Sequence, residues 1–254
     1  MLDHSFEMKA FWGARVESPS DLAKTFLDTL KAIVPLNACL GSWNWTDVPE
    51  YWETEGQRGT YPFEDISPDL EAAIVRNMGT EDDGMPDPFD GYLMIVETNP
   101  AHPESNAVLS VNASHGAGGG SPATAFVNHA SFTLGLRPDP SLVSYDLLRS
   151  IFFVLNETWQ ATWGWASPGD LPIKGDGRPV HLAWMSYVSP HFAPMMTPPP
   201  SAVVERRPNG GLFLAATRDV FETANPAHLA VAREIEAALQ PLNRIPNPND
   251  APYR

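Results

Sequence analysis

Ala202-Val203-Val204-Glu205-Arg206, then Pro208-Asn209-Gly210-Gly211, then Leu212-Phe213-Leu214-Ala215-Ala216: this stretch decides the fold class. Two β-forming runs joined by a Pro-Asn-Gly-Gly turn spell a hairpin. Strands joined by so short a connection pair antiparallel, whereas a purely parallel α/β sheet needs long crossovers. Downstream, Asn225-Pro226 caps a last helix with His228, Ala232, Ile235 and Leu239 on one side. Upstream, Val180 to Val188 reads as a strand, and Pro190 to Pro200 is a connector too proline-rich for a helix.

Further toward the N-terminus the same signals recur. Thr158 to Trp165 is aromatic-rich and extended, and Ser141 caps a helix carrying Tyr145, Leu148, Phe152 and Leu155. Ala107 to Val111 and Ala125 to Leu134 are strands flanking the glycine-rich loop Ser114 to Ser121, and Tyr92 to Glu97 is an apolar strand. Ser67-Pro68-Asp69 starts a short helix with Leu70, Ile74 and Met78 inward and Gly79 as its stop. Ser18-Pro19-Ser20-Asp21 opens a longer one with Leu22, Phe26, Leu30 and Ile33 at helical spacing, ended by Pro35. Phe6, Met8, Ala10 and Trp12 alternate with Glu7, Lys9 and Phe11 as an opening strand. The expected fold is α+β: a mixed, mostly antiparallel sheet flanked by about four helices. Residues 1–254 read as one domain, with an acidic, aromatic-rich insertion at about 41–90.

The chain has 254 residues, 43% of them hydrophobic, enough for a sizeable core. The apolar run Ile151 to Leu155 is far short of the roughly 20 residues that cross a bilayer. The N-terminal residues show no basic patch followed by a long apolar stretch, and the single Cys39 excludes an internal disulfide framework. A reducing cytoplasm is the expected location. The net charge of −15 argues against generic nucleic-acid binding and against an anionic membrane surface.

That charge is concentrated. Residues 41–90 hold thirteen acids and two bases, a net of −11, against −4 for the other 204 residues. The same stretch holds Trp43, Trp45, Tyr51, Trp52, Tyr61, Phe63 and Phe89. Aromatic anchors among carboxylates suit a face for a basic protein partner, since the rings bury area and the charges steer. The competing reading is a solvated acidic insertion pinned to the core by its aromatics. The candidate interface residues are Trp43, Trp45, Glu50, Trp52, Glu53, Glu55, Glu81, Asp82, Asp83, Asp87 and Asp90.

Catalytic signatures are sparse. There is no Gly-x-Ser-x-Gly elbow, no P-loop and no His-Glu-x-x-His helix. The seven histidines (His4, His102, His115, His129, His181, His191 and His228) form no local ligand pair. The loop from His115 to Gly120 could nest an anion but suits an ordinary hairpin loop better. Glu81-Asp82-Asp83-Gly84 begins like a calcium loop, and Pro86 and Pro88 break the ligand series. Cys39 has no basic neighbour to activate it. No cofactor and no metal site is predicted.

Two ends of the chain resemble the immunity protein 52 family of bacterial polymorphic toxin systems. At the N-terminus the resemblance rests on Phe11-Trp12-Gly13-Ala14-Arg15 and Glu17-Ser18, leading into Leu22, Phe26 and Leu30. At the C-terminus it rests on Ala183-Trp184-Met185-Ser186-Tyr187-Val188, Asn209-Gly210-Gly211-Leu212-Phe213-Leu214, and Phe221 through Asn225-Pro226-Ala227-His228-Leu229. The resemblance covers roughly the first 35 and last 70 residues, and its motifs are structural: a strand tryptophan, a hairpin Gly-Gly and a helix cap. It implies a cytoplasmic, non-enzymatic antitoxin that binds and neutralises a cognate toxin. The toxin it implies is a nuclease of restriction-endonuclease-like fold, delivered by type VI secretion or a related route. The 41–90 stretch is longer and more charged than the family pattern. Two other readings stay open: a small hydrolase-like enzyme using the 114–121 loop with His115 or His129 and Glu97, and an adaptor that loads an effector.

Overall fold

The computed structural model describes residues 5–13, 15, 17–47, 60–78, 91–99, 101, 102, 105–113, 128–171 and 180–244. They build a ten-stranded sheet in the order β3-β2-β4-β5-β6-β1-β7-β8-β10-β9, every described ladder being antiparallel. The strands are β1 (Phe6–Trp12), β2 (Asn44–Thr46), β3 (Thr60–Pro62), β4 (Tyr92–Glu97) and β5 (Ala107–Ala113), then β6 (Asn128–Leu134), β7 (Trp163–Pro168), β8 (Met185–Val188), β9 (Val203–Arg206) and β10 (Leu212–Ala215). The helices are α1 (Pro19–Ile33), the single turn α2 (Phe63–Ile66), α3 (Leu70–Arg76), α4 (Tyr145–Thr158) and α5 (Pro226–Leu239). The α+β class and the antiparallel character are those read from the hairpin.

Local chemistry explains the elements that match. The Ser18 side chain accepts from the Asp21 N–H, with Pro19 in the first turn. Leu22, Phe26, Leu30 and Ile33 then bury one stripe of α1. Asn225 caps α5 through the Ala227 N–H. Gly210 turns the β9–β10 hairpin at φ +91°, a backbone region that glycine enters without strain.

Other expectations shift. Ser144, not Ser141, caps α4, its hydroxyl accepting from Leu147. Ser141 is taken up in a 3-10 turn over Pro140–Leu142 that Asp139 caps. The short second helix is interrupted: α2 and a 3-10 turn precede α3, which ends at Arg76, and Met78 forms a bridge to Tyr92. The strands expected from Thr158 and Val180 begin at Trp163 and Met185, because α4 runs on to Thr158 and the later segment stays irregular up to Met185. The short strands β2 and β3 were not foreseen. They put residues 44–46 and 60–62 in the sheet itself, extending it beyond β4.

β1 is central, between β6 and β7. Its alternation sends Phe6, Met8, Ala10 and Trp12 to the face on which α1 and α4 lie, in one core with Phe26, Ile33, Phe132 and Phe152. Each such large side chain contributes about 1.5–3 kcal/mol by leaving water.

Candidate functional site

Trp43 and Trp45 are core residues, which corrects their expected place on a binding face. Trp45 is fully buried and meets Phe26 of α1 edge-on, ring centroids 6.1 Å apart at 83°. Its Nε1 donates to Asp47 Oδ1 at 2.7 Å, and Trp43 Nε1 donates to the Leu40 carbonyl at 2.8 Å. The cause is β2: pairing with β4 sets Trp45 opposite Val96, on the covered side of the sheet. Neither ring can anchor a partner without leaving the core. Of the other candidates, Glu50, Trp52, Glu53, Glu55, Glu81, Asp82, Asp83, Asp87 and Asp90 lie outside the described residues.

The described acids of the stretch are Asp47 and four more on or between α2 and α3. Glu64 and Asp65 on α2, Asp69, and Glu71 on α3 are exposed, and α2 packs on β2 and β3. Arg76 is the cation described there, its Nη2 4.0 Å from Asp47. The opposite edge is charge-balanced. Arg207 donates to Glu157 and to Glu205, each at 2.6 Å, and Arg149 Nε donates to Glu205 at 3.1 Å. The Arg207 guanidinium also lies 3.7 Å from the centre of the Phe153 ring. Burial pushes the Glu205 carboxyl up, but the hydrogen bonds and charges of Arg149 and Arg207 outweigh it and hold it below the usual range. Residues 180–244 hold five acids and five bases. The excess negative charge therefore lies outside this part of the sequence.

The two faces of the sheet differ. On β10, Phe213 meets Phe152 and Phe153 of α4, while Leu212 and Leu214 on the other side are also fully buried, so both faces are covered there. On β7 the outward Trp163 and Trp165 are covered, packing with Ala183 and Phe11. Phe11 stacks on Trp163 at 4.3 Å and 4°. Beyond that stack the outward side chains of β1, β6, β5 and β4 are half-buried, and Ser131 among them is buried. They include Phe11, Val108, Ile95 and Leu93, with Ser110 and Ser131 joined at 2.8 Å. The β1 charges there cancel, Lys9 standing 2.9 Å from Glu7. The sequence carried a signal for this face: Tyr92 to Val96 is apolar on both sides of the strand, so one apolar row had to face away from the helices.

The hydrolase arrangement does not assemble from the residues that can be located. Glu97 pairs with Val108 and His129 with Asn112, so they sit two strands apart and four residues, about 13 Å, along β5. The Glu97 carboxylate is occupied by Thr46 at 3.3 Å and Asn106 at 2.9 Å. The 114–121 loop with His115, and the Glu81–Gly84 segment, lie outside the described residues. Cys39 is exposed, its Sγ 3.8 Å from Ser141 Oγ. No group of three or more His, Cys, Asp or Glu among the described residues could hold a metal ion. No described helix is long and apolar enough to cross a membrane.

The residues of the two end motifs do structural work. Trp12 stacks on Trp159 at the end of α4 (5.2 Å, 12°), and Arg15 covers Trp12 at 5.3 Å while pairing with Glu17 at 3.0 Å. Burial raises the Glu17 carboxyl, against the pull of Arg15. A Cβ on Gly211 would stand 2.7 Å from the Tyr187 hydroxyl, so the hairpin glycine makes room for that ring.

The chain matches the family model described as immunity protein 52 over residues 4–245. No curated protein matches it. Among solved structures it is similar to the Pseudomonas aeruginosa T6SS protein PA0821, with a TM-score of 0.56 and 9% identity over 92% of this chain and 73% of that one. At that identity the likeness is one of fold.

Proposed function

Because the chain belongs to the immunity protein 52 family, we propose that it acts by binding: it holds one cognate bacterial toxin and blocks it, without chemistry of its own. The toxin in this reading is a nuclease of restriction-endonuclease-like fold, met in the cytoplasm. Its route is type VI secretion or a related one. The similarity of fold to a Pseudomonas aeruginosa T6SS protein supports that route.

One observation carries the choice of a cationic partner: a net charge of −11 held within residues 41–90 of a chain whose total is −15. A nuclease needs a positive cleft to hold phosphates, and a carboxylate-rich segment can enter or cover such a cleft. Opposite charge also speeds encounter, which serves a protein that must capture a toxin before it cuts. Glu81, Asp82, Asp83, Asp87 and Asp90, with Glu50, Glu53 and Glu55, are the proposed steering charges, and Trp52 is the proposed aromatic contact.

The test is co-purification with the toxin domain encoded by the neighbouring gene, together with protection of cells that express that domain. The expected result is a tight one-to-one complex whose association slows as salt rises. Failure to co-elute, or failure to protect, rejects the reading.

A further inference from the structure

The sheet ends in two edge strands, β3 and β9, and they are not alike. The Phe63 N–H donates to the Trp43 carbonyl at 2.9 Å, in step with Tyr61 opposite Trp45. Tyr61 therefore turns its backbone groups toward β2, and Thr60 and Pro62 turn theirs outward. Proline has no N–H to give, so that edge is blunted. On β9 the Arg207 N–H donates to the Gly211 carbonyl at 2.8 Å, in step with Glu205 opposite Phe213. Val204 and Arg206 therefore point their backbone groups away from β10. No hydrogen bond among the described residues takes these groups up. Before them the Ala202 N–H turns back to the Pro199 carbonyl at 3.1 Å, and after them Pro208 has no N–H. What remains is a ledge of two N–H and two C=O groups, with Val204 44% exposed and Arg206 exposed beside it.

We propose that the β9 ledge pairs antiparallel with the β9 ledge of a second copy of this chain, about a twofold axis at Glu205. Val204 then stands opposite Arg206 of the second copy, and Arg206 opposite its Val204. The N–H and C=O groups of both ledges are all used, in four hydrogen bonds. Each exposed Val204 side chain is covered by the aliphatic stem of an Arg206. Glu205 meets its own symmetry mate, and like charges directly opposite repel. The fold offsets this, because Arg149 and Arg207 already hold that carboxylate. A twofold join uses one edge of each copy and Pro62 blunts the other, so assembly stops at two.

Charge selects the occupant. The chain carries −15, yet residues 180–244, which build β8, β9, β10 and α5, hold five acids and five bases. The described acids Glu64 and Asp65 sit on α2, which packs on β2 and β3 at the other end of the sheet. Nine strand steps of about 4.8 Å separate β3 from β9, about 40 Å along the sheet. That is several times the screening length of about 8 Å at physiological salt. Two copies that join at β9 therefore meet where their mutual repulsion is weakest. A basic partner gains nothing at this ledge, whose exposed charge is the cation Arg206. The inference concerns the chain by itself and stands apart from the immunity reading.

The experiment uses the full chain alone. Sedimentation from about 1 to about 100 µM is expected to show a monomer–dimer equilibrium, with the weak Kd of a small interface. Hydrogen exchange over the same dilution series is expected to find the Val204 and Arg206 amides protected at high concentration and open at low. Val204→Pro removes an N–H that the fold itself does not use. It is expected to raise the dimer Kd about tenfold or more, since two of the four hydrogen bonds go, with the unfolding midpoint near that of the parent. A monomer throughout overturns the proposal. So does a dimer whose Val204 and Arg206 amides exchange alike at every concentration, or one left unchanged in a folded Val204→Pro chain. Species larger than a dimer overturn the closure at two copies. If Val204→Pro does not fold, amide exchange in the parent decides.

Discussion

The side-chain oxygen of Asn156, fully buried in α4, lies 2.3 Å from where a Cβ on Gly164 of β7 would stand. The Lys9 carbonyl would lie 2.7 Å from the same atom. Helix, central strand and neighbouring strand thus meet at one glycine, and the helix layer sits as close to the sheet as it does because that Cβ is missing.

Gly164→Ala therefore forces backbone apart in a packed core. The expected loss of stability is about 1–3 kcal/mol, read as a lower urea midpoint at unchanged slope. Combining it with Asn156→Ala recovers only part of the loss, since the Lys9 carbonyl remains in the way.

Gln160 is exposed and has φ +49°, just past the end of α4. The Ala161 N–H reaches back to the Asn156 carbonyl at 2.8 Å, closing the helix in the manner that favours glycine at this position. Gln160→Gly is expected to stabilise the protein by about 1 kcal/mol, a rise in Tm of about 2–4 °C for a chain of this size.

Trp45→Ala separates a core role from an anchor role. The expected cost is about 3–5 kcal/mol of folding stability. Affinity for the toxin, counted per folded molecule in titration calorimetry, is expected to stay as in the parent.

Glu205 gives acid sensitivity a definite sign. Its folded pKa lies below the unfolded value of about 4.3, so its contribution is complete above that pH and disappears as pH falls through the folded value. The parent is expected to lose stability below about pH 4, and Glu205→Gln to lose less over the same window. Urea unfolding at neutral pH and at about pH 3 gives the comparison.

Neutralising Glu81, Asp82, Asp83 and Asp87 together is expected to slow association with the toxin and flatten its salt dependence. The unfolding midpoint is expected to stay near that of the parent. Stopped-flow mixing at low and high salt reads the first effect.

The elements legible in advance were those whose signals close within a few residues. Ser18 and Asn225 bond to N–H groups two or three positions on, and Gly210 meets the demand of its own turn. The exchange of Ser141 for Ser144 shows how local competition blurs such signals. Both serines precede apolar runs, and Asp139 and Pro140 claim the first for a separate turn. Strands β2 and β3, three residues each, are too short to show alternation, so Trp45 gave no sign of which way it faced.

By itself, the sequence determined the α+β class, the starts of α1 and α5, the closing hairpin and the concentration of acid in one fifth of the chain. Each of these depends on residue type and near neighbours alone. The tertiary structure decided that β1 lies between β6 and β7, that Trp43 and Trp45 belong to the core, and that Phe11 stacks on Trp163 on the side of the sheet away from α1 and α4. Those outcomes depend on what arrives from far along the chain. Trp45 is buried because Phe26 of α1 closes over it, and Phe11 faces outward because β1 spends its other side on the helices. An aromatic side chain looks the same in sequence whether it will pack or dock, and only the element placed above it separates the two.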